Sequence, residues 1–425
     1  MEYNRRRLFI IGVLALFTAA MSASLRAATM GDIKREYLDN INVVQSATLS
    51  AELLGVAFLG FAFTLFFGSP FIDVIGMRRM LFIAAAGFIG GTALVLMSSI
   101  FGDGMSLYWT IWVGMLLNGI GWGCVEATIN PMTTALYPDD KTHRLNVLHA
   151  WWPAGLVVGG LCGFGLGAVD VDWRYILALV MIPSIIFTFL CVGVSFPKTE
   201  RAQTGVSFGD MLKETLRRPS FLIWFGAMFL TAASELAPGQ WVDLALSQVV
   251  GMRGILLLVY VSGLMFVMRH FAGPLVRYLS NAGLLLLSSL FAAVGLYLLS
   301  IANSPMMAMI AATVWGVGVC YMWPTMLATV AEKYPRGGSW MIGLMGSAGA
   351  LSISFVLPQL GKVYDQAKIE AAGGVAQLAE LSGAAMDEVL AFAAQESFQA
   401  VAVVPLVLCL VFGALTIVEF RKSKE

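Results

Sequence analysis

The sequence predicts an all-α integral membrane protein of twelve transmembrane helices, arranged as two pseudo-symmetric six-helix bundles. Three observations predict it: a composition too apolar for a water-soluble globule, twelve apolar runs of spanning length, and a segment repeated between the two halves.

Of the 425 residues, 59% are hydrophobic and only 12% are charged. That leaves too little polar surface to cover a soluble protein of this size, so lipid is the expected solvent. The 26 basic and 26 acidic residues cancel, which gives no charge excess to recruit nucleic acid. Cys124, Cys162, Cys191, Cys320 and Cys409 each sit in an apolar run without the paired spacing of a metal or redox motif, and read as packing residues. Arg5, Arg6 and Arg7 ahead of an apolar run imitate a secretory signal, but the run continues to Met30 and is long enough to span.

A bilayer core takes about 20 apolar residues per helix. On that rule the first six spans fall at 8–29, 49–70, 80–100, 107–136, 145–168 and 174–195, and the second six at 220–243, 254–279, 283–302, 306–332, 340–361 and 398–420. The termini and the even-numbered connections carry eighteen of the 26 basic residues, among them Arg78, Arg79, Lys141, Lys213, Arg217 and Lys333, against six on the other side. Cytoplasmic loops retain positive charge during insertion, so both termini are expected in the cytoplasm and the chain in a bacterial inner membrane. The expected division is an N-terminal bundle over 1–197, a charged cytoplasmic linker over 198–219, and a C-terminal bundle over 220–425. Within the last, 362–397 reads as a long outer loop. Its stretch 374–399 alternates apolar residues with Glu and Gln, as a surface-lying amphipathic helix or as flexible chain.

Spans four and ten align at a constant offset. Gly119 pairs with Gly316, Gly121 with Gly318, Thr128 with Thr325, and Tyr137-Pro138 with Tyr334-Pro335. Two related six-span halves are a known transporter design, with the solute site between them near the midplane.

Between spans two and three the chain reads Gly68-Ser-Pro-Phe-Ile-Asp73-Val-Ile-Gly76-Met-Arg78-Arg79. This resembles the mark of the major facilitator superfamily, a Gly, an Asp and a Gly followed by basic residues, with the first Gly here one residue further from Asp73. The resemblance implies the major facilitator fold, and Asp73, Arg78 and Arg79 are assigned to gating as a charged latch on the cytoplasmic face. Within the superfamily, Glu126-Ala-Thr-Ile-Asn130-Pro131 followed by Arg144-Leu-Asn146-Val-Leu-His149-Ala resembles the fucose/galactose/glucose:proton symporter family. That resemblance implies proton coupling through a span-four glutamate, here Glu126, and a span-one aspartate. The latter position falls near Arg26-Ala27, where no acid occurs.

Asn118, Trp122, Glu126 and Asn130 recur every four residues and form one stripe on span four. Ionised groups exposed to lipid cost several kcal/mol, so Arg26, Glu126 and Glu235 are expected to face a cavity or one another. Glu126 and Arg26 are the expected proton-coupling pair, either a fixed structural ion pair or one in which Glu126 alternates between Arg26 and solute or proton. Asn146 and His149 share a face of span five, and His149 either lines the cavity or satisfies a neighbour. Glu235, Gln240 and Trp241 flank Pro238, where a helix break would form a mobile gate. Tyr321 and Trp323 stand opposite Cys124 and Glu126 in the repeat, and Arg269 reads as an interfacial anchor.

Aromatic plates beside Asn, Gln, Glu and Arg suit a pyranose, whose CH faces are apolar and whose rim is hydroxylated. The same set suits an organic anion. The expectation is therefore a monomeric secondary transporter that moves a small polar solute, most simply a sugar, by alternating access with possible proton symport. An extruder of amphipathic compounds is the alternative. No catalytic grouping, phosphate loop, metal-ligand spacing or cofactor motif occurs, so neither an enzyme nor a bound cofactor is expected.

Overall fold

A computed structural model describes residues 3–137, 144, 147–199, 205, 207–247, 249–270, 279–334 and 337–422. Every span is helical, because a backbone crossing hydrocarbon must satisfy its own N–H and C=O groups. Among the described residues, ten helices are long and apolar enough to cross a membrane. Span four, Gly104–Leu136, with its Asn, Gly and Trp residues, and the shorter span eight, Ile255–His270, complete the twelve.

Helix ends follow local chemistry. Gly76 alone separates span two, Ser46–Ile75, from span three, Met77–Leu96, at φ 90°, a conformation that a side chain disfavours. Ser280 Oγ accepts from Gly283 N at 3.1 Å ahead of span nine, and Ser304, followed by Pro305, caps span ten.

Three expectations change. Span eleven, Gly338–Ala372, and span twelve, Ala384–Lys422, run well past the membrane-length core. They leave only a short helix, Val375–Glu380, between them, so 362–397 is mostly helix extension rather than an outer loop. Span one likewise extends beyond Ile33 through a π-helical turn, Lys34–Leu38. The linker contains a helix, Phe208–Arg217, capped by Ser207, with Met211 and Glu214 buried.

Contacts divide the chain into two compact units. The first comprises Met1–Arg26, Val56–Phe225 and Val330–Leu351. Its segment from the second half of the chain is held by Trp340 Nε1 to Thr215 Oγ1 at 2.9 Å and by Ser347 Oγ to the Ala62 carbonyl at 2.9 Å. The second unit comprises Ala27–Gly55, Gly226–Thr329 and Ser352–Glu425. Here Arg253 Nη2 donates to the Ala28 carbonyl at 3.0 Å, and Asp365 Oδ2 accepts from Thr48 N at 2.8 Å and from its hydroxyl at 2.7 Å.

The repeat survives as packing. A Cβ on Gly119 would collide with the Ala57 carbonyl of span two, and one on Gly316 would lie 3.1 Å from Leu264 of span eight. A Cβ on Gly121 would lie 2.7 Å from the Ala84 carbonyl of span three, and one on Gly318 2.8 Å from the Ser288 carbonyl of span nine. Each glycine pair therefore occupies the same relation to its neighbours in both halves. Gly119→Ala and Gly318→Ala are expected to destabilise by about 1–3 kcal/mol through overpacking, whereas Gly263→Ala, which meets nothing within 4 Å, should melt as wild type. Thermal melting of the detergent-solubilised protein checks this.

Candidate functional site

On span four of the first unit, Asn130 lies one turn beyond Glu126. Its Nδ2 donates to Glu126 Oε2 at 3.1 Å and also approaches the Glu126 carbonyl at 3.3 Å. Its Oδ1 meets His149 Nε2 at 2.8 Å, so with this amide orientation the imidazole donates. An acid, an amide and an imidazole thus form one chain across spans four and five, and Glu126 and Asn130 are only half-buried. Asn146 lies outside the described residues.

The rest of the stripe has a different job. Asn118 is buried, accepting from Ser22 Oγ at 3.2 Å and Thr92 Oγ1 at 3.4 Å while donating to the Gly114 carbonyl at 3.0 Å. It ties spans one, three and four together. Trp122 stacks on Trp152 of span five at 4.8 Å and on Phe61 of span two at 4.1 Å.

Arg26 does not pair with Glu126. Spans one and four run antiparallel: Phe9 meets Tyr137 at 5.8 Å between ring centres, Gly12 faces Met132, and Ser22 bonds Asn118. Moving from Ser22 to Arg26 and from Asn118 to Glu126 therefore leads in opposite directions, which separates the two positions by roughly 18 Å along the axis at 1.5 Å per residue. Sequence spacing alone could not reveal this, because it does not give the register of two distant helices.

The second unit carries a buried ion pair between spans seven and eight instead. Span ten is broken into Pro305–Val319 and Met322–Lys333. Pro324 has no N–H to offer the carbonyl four residues back, that of Cys320. Arg269 Nε of span eight fills the vacancy at 3.1 Å. Arg269 Nη2 lies 3.6 Å from Glu235 Oε1 of span seven, and Glu235 Oε2 accepts from Trp323 N at 3.2 Å. A cation sits at the C-terminal end of one half-helix and an anion at the N-terminal end of the next, which is the favourable sense for both dipoles. Tyr321 Oη adds a bond to the Met268 carbonyl at 3.0 Å. Arg269 is thus a partner of Glu235 and not an interfacial anchor.

The break expected at Pro238 is absent, for span seven runs unbroken over Phe221–Leu246. The Ser234 carbonyl, four residues before Pro238, accepts from Trp315 Nε1 at 3.0 Å. Trp241 is wholly buried, donating to Ser397 Oγ at 3.2 Å and lying edge-on to Tyr364. Gln240 is buried beside it in the chain.

The sequence profile of the Major Facilitator Superfamily matches residues 8–357. The chain belongs to this superfamily. Myo-inositol transporter 1 of Saccharomyces cerevisiae is 30% identical over 161 residues, which cover 37% of this chain and a quarter (25%) of that protein's length. The partially occluded inward-open structure of the xylose transporter XylE from E. coli superposes with a TM-score of 0.74 at 13% identity, covering 96% of each chain. The outward conformation of the facilitator FucP gives 0.55 at 16% identity over 92% of this chain and 98% of that one. At these identities the structures show a shared fold.

In this facilitator the adjoining ends of spans two and three fasten onto the segment after span six. Thr199 Oγ1 donates to Asp73 at 2.8 Å, Arg78 donates to the Val194 carbonyl, and its guanidinium lies over Phe196. Arg79 lines the same shallow pocket. All these contacts lie within the first unit.

Removing one partner of a buried ion pair costs about 3–5 kcal/mol, whereas replacing both with apolar residues is far milder. Glu235→Leu and Arg269→Leu are each expected to lower the melting temperature more than the double variant does. Equal or additive losses in a double-mutant melting series would contradict the pairing.

Proposed function

We propose that this facilitator is a secondary transporter that moves a sugar or related polyol by alternating access between bundles 1–197 and 220–425, with proton symport through Glu126. The chain sits in this reading in a bacterial inner membrane with both termini in the cytoplasm, and works as a monomer. The carrying observation is the hydrogen-bonded run Glu126, Asn130 and His149 on two adjacent spans. A hydroxylated ring offers donors to Glu126 and acceptors to His149 and the Asn130 amide. A solute that competes for these bonds alters the carboxylate's surroundings, and through them its hold on a proton. The sugar and polyol substrates in the names of the xylose and myo-inositol transporters support the solute class. Arg26 belongs to the same first unit but acts separately, since it lies too far along span one to serve as the counter-charge of Glu126.

The test is uptake of a panel of neutral sugars into proteoliposomes, with and without an inward proton gradient. Wild type is expected to concentrate its sugar only when the gradient is imposed. Glu126→Gln, which keeps the hydrogen-bonding shape and cannot titrate, should lose that accumulation. Gradient-independent accumulation, or a Glu126→Gln variant with unchanged rate and pH dependence, would sink proton coupling at this residue.

A further inference from the structure

The two arginines inside the spans are treated differently. Arg269 has the Glu235 carboxylate at 3.6 Å and the Cys320 carbonyl at 3.1 Å. Arg26 is 2% exposed, and among the described residues its guanidinium makes one hydrogen bond, from Nε to the Ser22 carbonyl at 3.2 Å. Among the described residues no carboxylate pairs with it, and Nη1 is buried without a partner. A guanidinium stays charged at any accessible pH, so it cannot escape burial by losing its proton as a lysine can. It calls for a counter-charge that none of the described residues supplies.

A second orphaned donor lies on the other side of the Ser22 to Asn118 bond. Trp122 is 4% exposed and its Nε1 has no partner among the described residues. The Ser22 to Asn118 bond sets the register: Arg26 lies one turn beyond Ser22, and Trp122 one turn beyond Asn118. Helical side chains lean toward their own N-terminus. In antiparallel spans this brings both side chains back toward that bond from opposite sides, as the Arg26 Nε contact to Ser22 records. Trp152 and Phe61 clamp the indole, so its N–H direction is set in advance. Two buried donors, one of them cationic, thus flank the Ser22 to Asn118 bond, and Arg26 Nη1 and Trp122 Nε1 find no acceptor among the described residues.

We infer that Arg26 and Trp122 form the recognition point for a carboxylate on the transported solute, so that the sugar is a sugar acid. The guanidinium supplies the charge and a fork for the carboxylate oxygens, and the indole N–H donates to one of them. The inference rests on the sugar-transport reading and narrows it.

The experiment follows thermal melting of the purified full-length protein during titration with D-glucuronate, D-glucose and D-glucose 6-phosphate. Glucuronate is expected to protect wild type at concentrations at least about tenfold below those of glucose, as suits a hydrogen bond between charged groups. Arg26→Gln should erase that preference, and Arg26→Lys should keep part of it. Trp122→Phe, which retains the ring stack and lacks only the N–H, should weaken glucuronate protection several-fold and guards against a folding defect at Arg26. Equal protection by glucose and glucuronate in wild type, or no protection by any anion, overturns the inference. Preference for glucose 6-phosphate overturns it as well, by assigning the site to a phosphate monoester. Glucose uptake by wild-type proteoliposomes separates the two readings: uptake without a glucuronate preference overturns the carboxylate site and leaves sugar transport standing.

Discussion

In hydrocarbon, a polar group that loses its partner finds no water, so every backbone carbonyl released by a proline must be claimed by another part of the protein. The second unit is organised around that constraint. Pro238 releases the Ser234 carbonyl, and the Trp315 indole takes it; Pro324 releases the Cys320 carbonyl, and Arg269 takes it. The second solution brings a charge into the membrane, which obliges Glu235 to follow, and the Glu235 carboxylate in turn caps the Trp323 amide exposed by the same break. One imino acid thus accounts for an ion pair and for the joining of spans seven, eight and ten.

The two halves use a common packing frame for different chemistry. Gly119 and Gly121 face spans two and three as Gly316 and Gly318 face spans eight and nine, with the closest backbone approach at Gly119. Where span four carries Glu126 within an unbroken helix, span ten carries Trp323 at a break. The acid near that break arrives from span seven and is held by a fixed cation. Glu126 has only an amide and, through it, an imidazole as described hydrogen-bond partners. That difference in restraint leaves Glu126 held by neutral partners alone, and Glu235 tied to a cation and to the amide at a helix break.

Hydropathy made the spans legible because lipid enforces length and apolarity, and the glycine register of the repeat was legible because close helix contacts tolerate little else. Pairings between distant spans were not. The Arg26 to Glu126 pairing failed on antiparallel register, which no single span encodes. Arg269 was misread because an arginine near a helix end looks alike whether it reaches outward to the interface or inward to a released carbonyl. The signal that would have found it was Pro324, four residues beyond Cys320. Residues 362–397 misled because helices that continue past the bilayer lose the apolar run by which spans are recognised, without losing their hydrogen bonds.

The central claim is that a small polar solute crosses on this protein by alternating access. Entrance counterflow tests it most directly, in proteoliposomes loaded with unlabelled solute and given a trace of labelled solute outside, without any ion gradient. A carrier is predicted to accumulate label transiently above its external concentration, after which the label declines as the internal pool empties. Passive equilibration of the label, or its exclusion across a panel of sugars and sugar acids, would contradict the account.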